Sequence, residues 1–500
     1  MAINSYYSSG GWATTILTSL TDLRASLDAE SLKLSSGRKA NNFAGLGNKV
    51  VPTLDLHARL TALSSYSDII ATANSEVGLV SQSLTSMSKL IDNVVSGPLS
   101  LAGGSDKVAR ISANQNLGLQ FSSFLSYLNS EGNSGYSFGG DVQGNPPVKN
   151  SDLLMNGQSG MAGLKQLFAE RFAADSGGDG LGRLAISGAG STVTLGETVS
   201  PMPFGLKLSS ISSGLANATV VQAAGTPPIE SVAFTGQPTL GDTVTFNFNL
   251  PDGSTSALTL KVSSVAGEGQ FVTGATPDDT AQNMRIALRN SLSNLVQTDL
   301  NSASAVYTAK NFFASNVYSP PERVAGTPAS SATSVVAGTA ANTVIWYQGK
   351  ADNKDPRADR KIQIGNDITV EYGVRANESG FQSALSGIAA SMLVTTNFSS
   401  SDTLAAKQME AIRAKTLQLT KDGQSGVQSV VTSIAASQGT AKLVDEQNKS
   451  VKALLQNRLS GLEDASPEEA AANITSLTTQ LQASYQVAAK LLNLSLASYL

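Results

Sequence analysis

The side chains best suited to chemistry are scarce. The 500 residues contain one histidine, His57, and no cysteine. A Ser-His-Asp or Cys-His nucleophilic arrangement would have to use His57, and a two-histidine zinc motif is impossible. The missing cysteines also exclude disulfides, thiolate nucleophiles and Cys-based zinc sites. His57 stands in LDLHARL, inside a long apolar-periodic run, where a packed or solvated helix position accounts for it. Asp352, Asp355 and Asp359 in KADNKDPRADRK could touch a cation, but the segment lacks the glycine and terminal glutamate of an EF-hand loop. Alternating charge in a solvated loop is the expectation there. Gly178, Gly180 and Gly182 in SGGDGLGRL do not have the GxGxxG spacing, and a helix rather than a strand precedes them, so a flexible turn is expected. Asp278 and Asp279 suit a helix N-terminus. No catalytic, cofactor-binding or metal-binding set emerges, and no cofactor is expected.

The composition agrees with that expectation. Charged residues are 14% and aromatics 6%, with Ala, Ser, Leu, Thr, Asn and Gly dominant. Small side chains suit long helices with narrow apolar seams and thin-cored sheets better than a large aromatic pocket. A net charge of −4 offers no basic footprint for nucleic acid. No polybasic run suits an anionic membrane surface, and no stretch reaches the roughly 20 apolar residues that a membrane span needs. The start, MAINSYYSSGGWATTILTSL, lacks the basic region and apolar core of a cleavable signal peptide. Export, if it occurs, is expected to use another route.

The elements that would carry function are the chain ends. Ile16, Leu20, Leu23 and Leu27 recur at steps of four and three. Leu56, Leu60, Leu63, Ile70, Val77, Leu84, Met87, Ile91 and Val94 continue the pattern with a period near 3.5, the signature of a coiled-coil-like helix. SSGRKANNFAGLGN separates the two as a turn, and a third helix is predicted from Val108 to Leu128. Near the other end, Ile412, Val430, Ile434, Val444, Val451, Leu454 and Leu455 mark a helix from about Leu404 to Leu459, broken only by Gly423, Gly426 and Gly439. Ser466-Pro467-Glu468-Glu469 is a helix start with capping-box potential. It opens a helix with Ala470, Ile474, Leu477, Leu481, Ala488 and Leu491 on one face.

The middle changes period. Val244, Phe246, Phe248 and Leu250 alternate with polar residues, Pro251-Asp252-Gly253-Ser254 turns the chain, and Leu258, Leu260 and Val262 alternate again, which predicts a β-hairpin. Thr343–Tyr347 and Ile368–Tyr372 are read as further strands. A helix is predicted from Thr276-Pro277, with Met284, Leu288 and Leu295 inward. The fold expectation is therefore α+β. A coiled-coil-like helical domain is drawn from both termini (1–150 and 377–500), and a β-rich insert of one or two subdomains spans 151–376. Helical seams that neither end can bury alone would be covered by each other and by further copies. The assembly seam is expected at Leu20, Leu23, Leu27, Leu56, Leu60, Leu63, Leu84, Ile91, Ile474, Leu477, Leu481 and Leu491.

These ends resemble a known family. Ser31-Leu32-Lys33-Leu34-Ser35-Ser36-Gly37-Arg38-Lys39 is similar to the N-terminal signature of the bacterial flagellin superfamily, which includes the hook–filament junction (hook-associated) proteins. Asn457-Arg458-Leu459, Glu463-Asp464 and the final amphipathic helix are similar to its C-terminal signature. The resemblance implies a structural axial subunit of the flagellum without enzymatic activity. Terminal helices would line the tube, the insert would project outward, and export would run through the flagellar channel to the cell exterior. Partners would be further copies, other axial proteins and an export chaperone. Asn41-Asn42-Phe43-Ala44-Gly45-Leu46-Gly47 lacks the acidic pair of typical filament flagellins. Gly135–Gly140 and Leu494–Leu500 look more like the junction protein, whereas Tyr372–Glu378 is similar to inserts of some filament flagellins. From other classes, a surface adhesin acting through the insert, or an enzyme housed in it, would need an aromatic cluster or a catalytic set that the sequence does not display.

Overall fold

The computed structural model of the protein describes residues 9–100, 106–223, 225–395 and 401–497. It is an α+β chain of long helices and several small sheets. The helices are α1 (Ser9–Ser36), α2 (Val50–Ser96), α3 (Lys107–Leu128), α4 (Ser151–Asn156), α5 (Leu164–Ser176), α6 (Pro277–Leu295), α7 (Asn301–Ala314), α8 (Ser379–Thr395), α9 (Asp402–Glu463) and α10 (Pro467–Ala497). The strands are β1 (Glu131–Gly132), β2 (Gly135–Tyr136), β3 (Leu184–Ser187), β4 (Thr192–Glu197), β5 (Lys207–Ser213), β6 (Ala218–Ala223), β7 (Ile229–Phe234), β8 (Thr243–Asn249), β9 (Thr255–Val262), β10 (Gln270–Phe271), β11 (Glu322–Ala325), β12 (Ser334–Ala337), β13 (Lys361–Gln363) and β14 (Thr369–Glu371). The chain divides into two compact units, one of Met1–Thr72, Gln363–Thr369 and Thr440–Leu500, the other of Ala73–Ile362 and Val370–Gly439.

The first unit is helical and thin. α1 packs on α10, and the first part of α2 pairs with the last part of α9. α10 begins as the sequence predicts: the Glu469 amide donates to Ser466 Oγ at 3.2 Å. Ser466 Oγ in turn donates to the Glu468 carboxylate at 2.9 Å.

Among the described residues the second unit has two large apolar cores and a small cluster of Ala174, Met202, Phe204 and Ala332. One gathers Leu84, Ile91, Phe121, Phe313, Trp346 and Ile388, among others, from α2, α3, α7, α8 and α9 and the segments between them. α8 and α9 meet through glycines. A Cβ on Gly426 would lie 2.4 Å from the Gly380 Cα, and one on Gly423 would lie 2.5 Å from the Ala384 amide nitrogen. These glycines are not helix breakers: α9 runs through all of them as one 62-residue helix, and their missing side chains let the backbones touch.

The other core lies in a sandwich. One sheet has the order β10-β9-β8-β5 and the other β3-β4-β7-β6. The expected hairpin is β8–β9, antiparallel from Thr243↔Lys261 to Asn249↔Thr255. Val244, Phe246 and Phe248 are buried on one strand, and Leu258, Leu260 and Val262 on the other. α6 closes this core with Met284, Leu288 and Leu295. Its N-terminus carries a complete capping box between Thr276 and Asp279.

Two local expectations are corrected. Thr343–Tyr347 is not a strand; it is an extended segment touching its neighbours by isolated bridges, Ala162↔Thr343 and Val148↔Tyr347. Val344, Trp346 and Tyr347 are all buried, so the segment threads the helical core and no ladder partner lies alongside it. The turn at 177–182 is packed as well as tight: Leu181 is buried and a Cβ on Gly182 would meet Leu206 at 2.8 Å.

Candidate assembly surface

The helices of the first unit leave many apolar side chains open. Ile16, Leu20, Leu23 and Leu27 of α1 and Ile474, Leu477 and Leu481 of α10 face the contact between these helices, yet all are only half-buried. Ala470 is the one buried apolar side chain described on α10. Two antiparallel helices shield one stripe of each other and leave the flanks in water. Arg24 lies 5.8 Å from the Tyr485 ring centroid across this contact. Leu17 is 63% exposed, Leu32 49%, Tyr485 41% and Val487 52%. Leu491 is in α10, but its side chain lies outside the described residues.

The α2–α9 pair is better covered. Leu56 and Ile70 of α2 and Ala441, Val444 and Leu455 of α9 are buried, and Leu60 and Leu63 are half-buried. Polar cross-links set the alignment: Lys452 Nζ donates to Ser64 Oγ at 2.8 Å and Ser67 Oγ donates to Asp445 Oδ1 at 3.0 Å. The opposite flank again exposes apolar groups, with Val51 76%, Leu54 47%, Leu443 69% and Leu454 57% exposed. Val451 and Leu454, expected among the C-terminal apolar positions, lie on this open side. Leu84 and Ile91 lie in the second unit at 0% exposure and offer no surface.

The two chain reversals are clasped together. The Lys39 amide donates to the Glu463 carbonyl at 2.7 Å and the Ala465 amide to the Gly37 carbonyl at 2.9 Å. Lys39 Nζ reaches the Gly461 carbonyl at 2.6 Å. His57 belongs to this clasp: its Nε2 lies 2.6 Å from Glu463 Oε1 and its ring meets Phe43 edge-on. Among the described residues no Ser, Thr or Lys side chain bonds its imidazole; the Thr61 hydroxyl reaches only its main-chain carbonyl, at 2.9 Å. Among the described residues no cluster of three or more His, Asp or Glu could hold a metal ion, and no helix is long and apolar enough to cross a membrane.

The acidic loop is corrected. Asp359 is not solvated: its side chain is 2% exposed and pairs with Arg375, whose Nη2 donates to Asp359 Oδ1 at 2.9 Å. Lys350 Nζ adds a second cation at 2.9 Å. Burial works to raise the Asp359 carboxyl, but the hydrogen bonds from Arg375 and Lys350 overcome it and hold the group below the usual carboxylate range. Arg375 also bonds Asp352, and Arg357 bonds Glu378. Burial nevertheless leaves Glu378 above its ordinary value. Nearby, Glu76 of α2 accepts from Tyr372 Oη at 3.1 Å and lies 3.4 Å from Arg360. Burial and Glu76 push Tyr372 up to about 12.

These charges stitch the strands that lead into and out of the β-rich part. The Ala376 amide donates to the Phe138 carbonyl at 2.8 Å and the Lys350 amide to the Gly139 carbonyl at 3.1 Å. Gly140 has φ +71°, and a Cβ there would lie 2.6 Å from Asp359 Oδ2. Sequence reasoning missed this cluster. One available signal was Glu76, a carboxylate between the apolar positions Ala73 and Val77.

Comparison with known proteins found no matching family model and no matching curated protein.

Proposed function

We propose that this chain is an exported structural subunit of the bacterial flagellum, assembling through its terminal helices at the hook–filament junction. In this reading the first unit is a coiled-coil-like domain drawn from both termini. The sandwich and its neighbours are the outward insert. Further copies and other axial subunits are the partners, with a chaperone before export, and the site of action is extracellular.

The observation that carries the reading is the half-buried seam of α1 and α10, flanked by exposed Leu17, Leu32 and Val487. Such helices are poorly shielded alone. Covering the remaining apolar area gains about 25 cal/mol per Å² before the cost of association is met, which favours a neighbouring copy laid along the seam. Repeated without closure, that contact builds a fibre. The resemblance of 31–39 and 457–464 to the flagellin signatures supports the family reading, and Gly135–Gly140 favours the junction over the filament.

Electron microscopy of cells labelled with an antibody against the insert tests this reading. A single spot where hook meets filament is expected. Label along the whole filament would reassign the chain to the filament subunit. Absence of label from every flagellum would overturn the proposal and bring the adhesin reading forward.

A further inference from the structure

Glu230 is the one buried carboxylate among the described residues of the β-sandwich with no bonding explanation. It lies in β7, 1% exposed, and neither carboxylate oxygen has a hydrogen-bond partner among the described residues. Its neighbours across the sheet are Leu195 of β4 and Gln222 of β6. Along β7 the inward positions are Glu230, Val232 and Phe234. A carboxylate thus occupies a position whose pattern calls for an apolar side chain. An ionised, unpaired carboxylate there is costly, whereas the neutral acid costs far less.

No charge on the packed elements compensates it. β4 brings Glu197, but that carboxylate is taken by Lys207 Nζ of β5 at 3.3 Å and by the Leu208 amide at 3.1 Å. β5 brings only this Lys207, and β6 carries no ionisable side chain. α6, which also packs on β7, brings Asp278, Asp279, Arg285 and Arg289. Asp279 is held in the helix cap and Arg285 donates to the Thr192 carbonyl at 2.8 Å. Arg289 is exposed. Glu197, Lys207 and Glu230 leave one uncompensated negative charge inside the sandwich once Glu230 ionises.

The position also matters mechanically. β6 is the edge of its sheet: its backbone pairs with β7, and the Gln222 side chain adds one bond to the Ser209 carbonyl of β5 at 2.9 Å. On its free side Ile211, Leu215, Ala218 and Val220 line an open groove towards β5. Glu230 sits on β7 directly opposite Gln222 of this edge strand, so displacement of β6 would uncover it.

We propose that Glu230 is a proton-linked latch of the sandwich: as the neutral acid it lets β7 and β6 close, and on ionisation it drives the edge to open. The latch rests on the buried, unpartnered carboxyl and is independent of the flagellar reading. Burial raises the Glu230 carboxyl to about 7. The sign follows directly. A carboxyl raised above its unfolded value stabilises the closed state fully below that unfolded value, and the contribution is lost as pH rises through about 7. Linkage gives a roughly tenfold weakening of closure between about pH 6 and about pH 9.

The test is hydrogen exchange of the full chain across that range, corrected for the intrinsic pH dependence of exchange. Amides of residues 218–223 and 229–234 should lose about tenfold in protection, while those of residues 384–394 should not. Glu230→Gln, or Glu230→Leu should the amide fold poorly, should flatten the β6–β7 response. An infrared carboxylic-acid band, present at acidic pH, lost on alkalinisation and absent from the variant, should report the same proton. Uniform protection across pH in the wild type, or an unchanged pH response in the variant, would overturn the latch.

Discussion

Gly426 and Gly461 belong to the same helix, α9, but they sit in different worlds. At Gly426, in the second unit, a Cβ would strike the backbone of Gly380 at 2.4 Å; at Gly461, in the first unit, nothing lies within 4 Å. The contrast extends to the leucines. Leu84 and Ile91 of α2 are fully enclosed, whereas Leu60 and Leu63 on the earlier part of the same helix are half-open. In the second unit these stretches of α2 and α9 are enclosed in a shared core. In the first they pair one helix with another and leave apolar flanks uncovered. The periodic pattern is the same in both; the number of neighbours differs. A regular apolar seam therefore reports that a helix face must be covered, and not what covers it.

That comparison can be broken most forcefully at the α8–α9 contact. Gly426→Val should separate the two backbones and cost more than about 3 kcal/mol, beyond ordinary overpacking because the clash is with main chain. Thermal unfolding followed by circular dichroism should show the second unit melting many degrees earlier. An unchanged melting temperature would mean the helices do not touch.

Truncating the leucines should separate the units next. Leu84→Ala should destabilise by about 3 kcal/mol, because it opens a cavity in a closed core. Leu477→Ala should cost about 1 kcal/mol in the monomer, since its side chain is only half-buried. Equal losses in denaturant titrations would erase the distinction. Assembly should rank the sites in the opposite order. Leu481→Asp should leave the monomer's second unit folded but abolish fibres in negative-stain images, and fibres formed by this variant would remove the seam from the proposed interface.

A pH experiment probes the ion cluster. Asp359 is held below its ordinary value, so its contribution is fully present above about pH 4, the unfolded value, and is lost as pH falls through the lower folded value. Exchange protection of residues 372–378 should fall in strong acid, and Asp359→Asn should lose that protection at neutral pH. This is the reverse of Glu230, whose contribution disappears on the alkaline side. Smallest is Gly461→Ala, which meets no obstruction and should stabilise α9 by somewhat under about 1 kcal/mol through helix propensity. Destabilisation there would show that the open face is already occupied.

Legibility followed the number of exposed faces. The β8–β9 hairpin was readable because one face is buried and the other wet, which writes an alternation into Val244, Phe246 and Phe248, and because Asp252-Gly253 marks the turn. α6 was readable from its cap and its three- and four-residue apolar steps. α8 left no such trace: Ala384 to Ser391 are all buried, so small and apolar residues occur on every side and no period survives. α7 was hidden for the same reason, with Ala303, Ser304, Ala305 and Val306 buried in succession. Thr343–Tyr347 looked like a strand because buried extended chain and buried strand have similar composition.

By itself the sequence determined that long helices occupy the ends and that a β-hairpin lies between them. It also excluded thiol chemistry and left a single histidine to serve any histidine-dependent mechanism. Those conclusions rest on residue type and on periods set by backbone geometry, which act over a few residues. The pairing of Arg375 with Asp359, the glycine contact of α8 with α9 and the solitary carboxyl of Glu230 came only from the folded chain. Each depends on which distant segment is brought within a few ångströms, and on whether that segment carries a charge, a backbone or nothing able to bond.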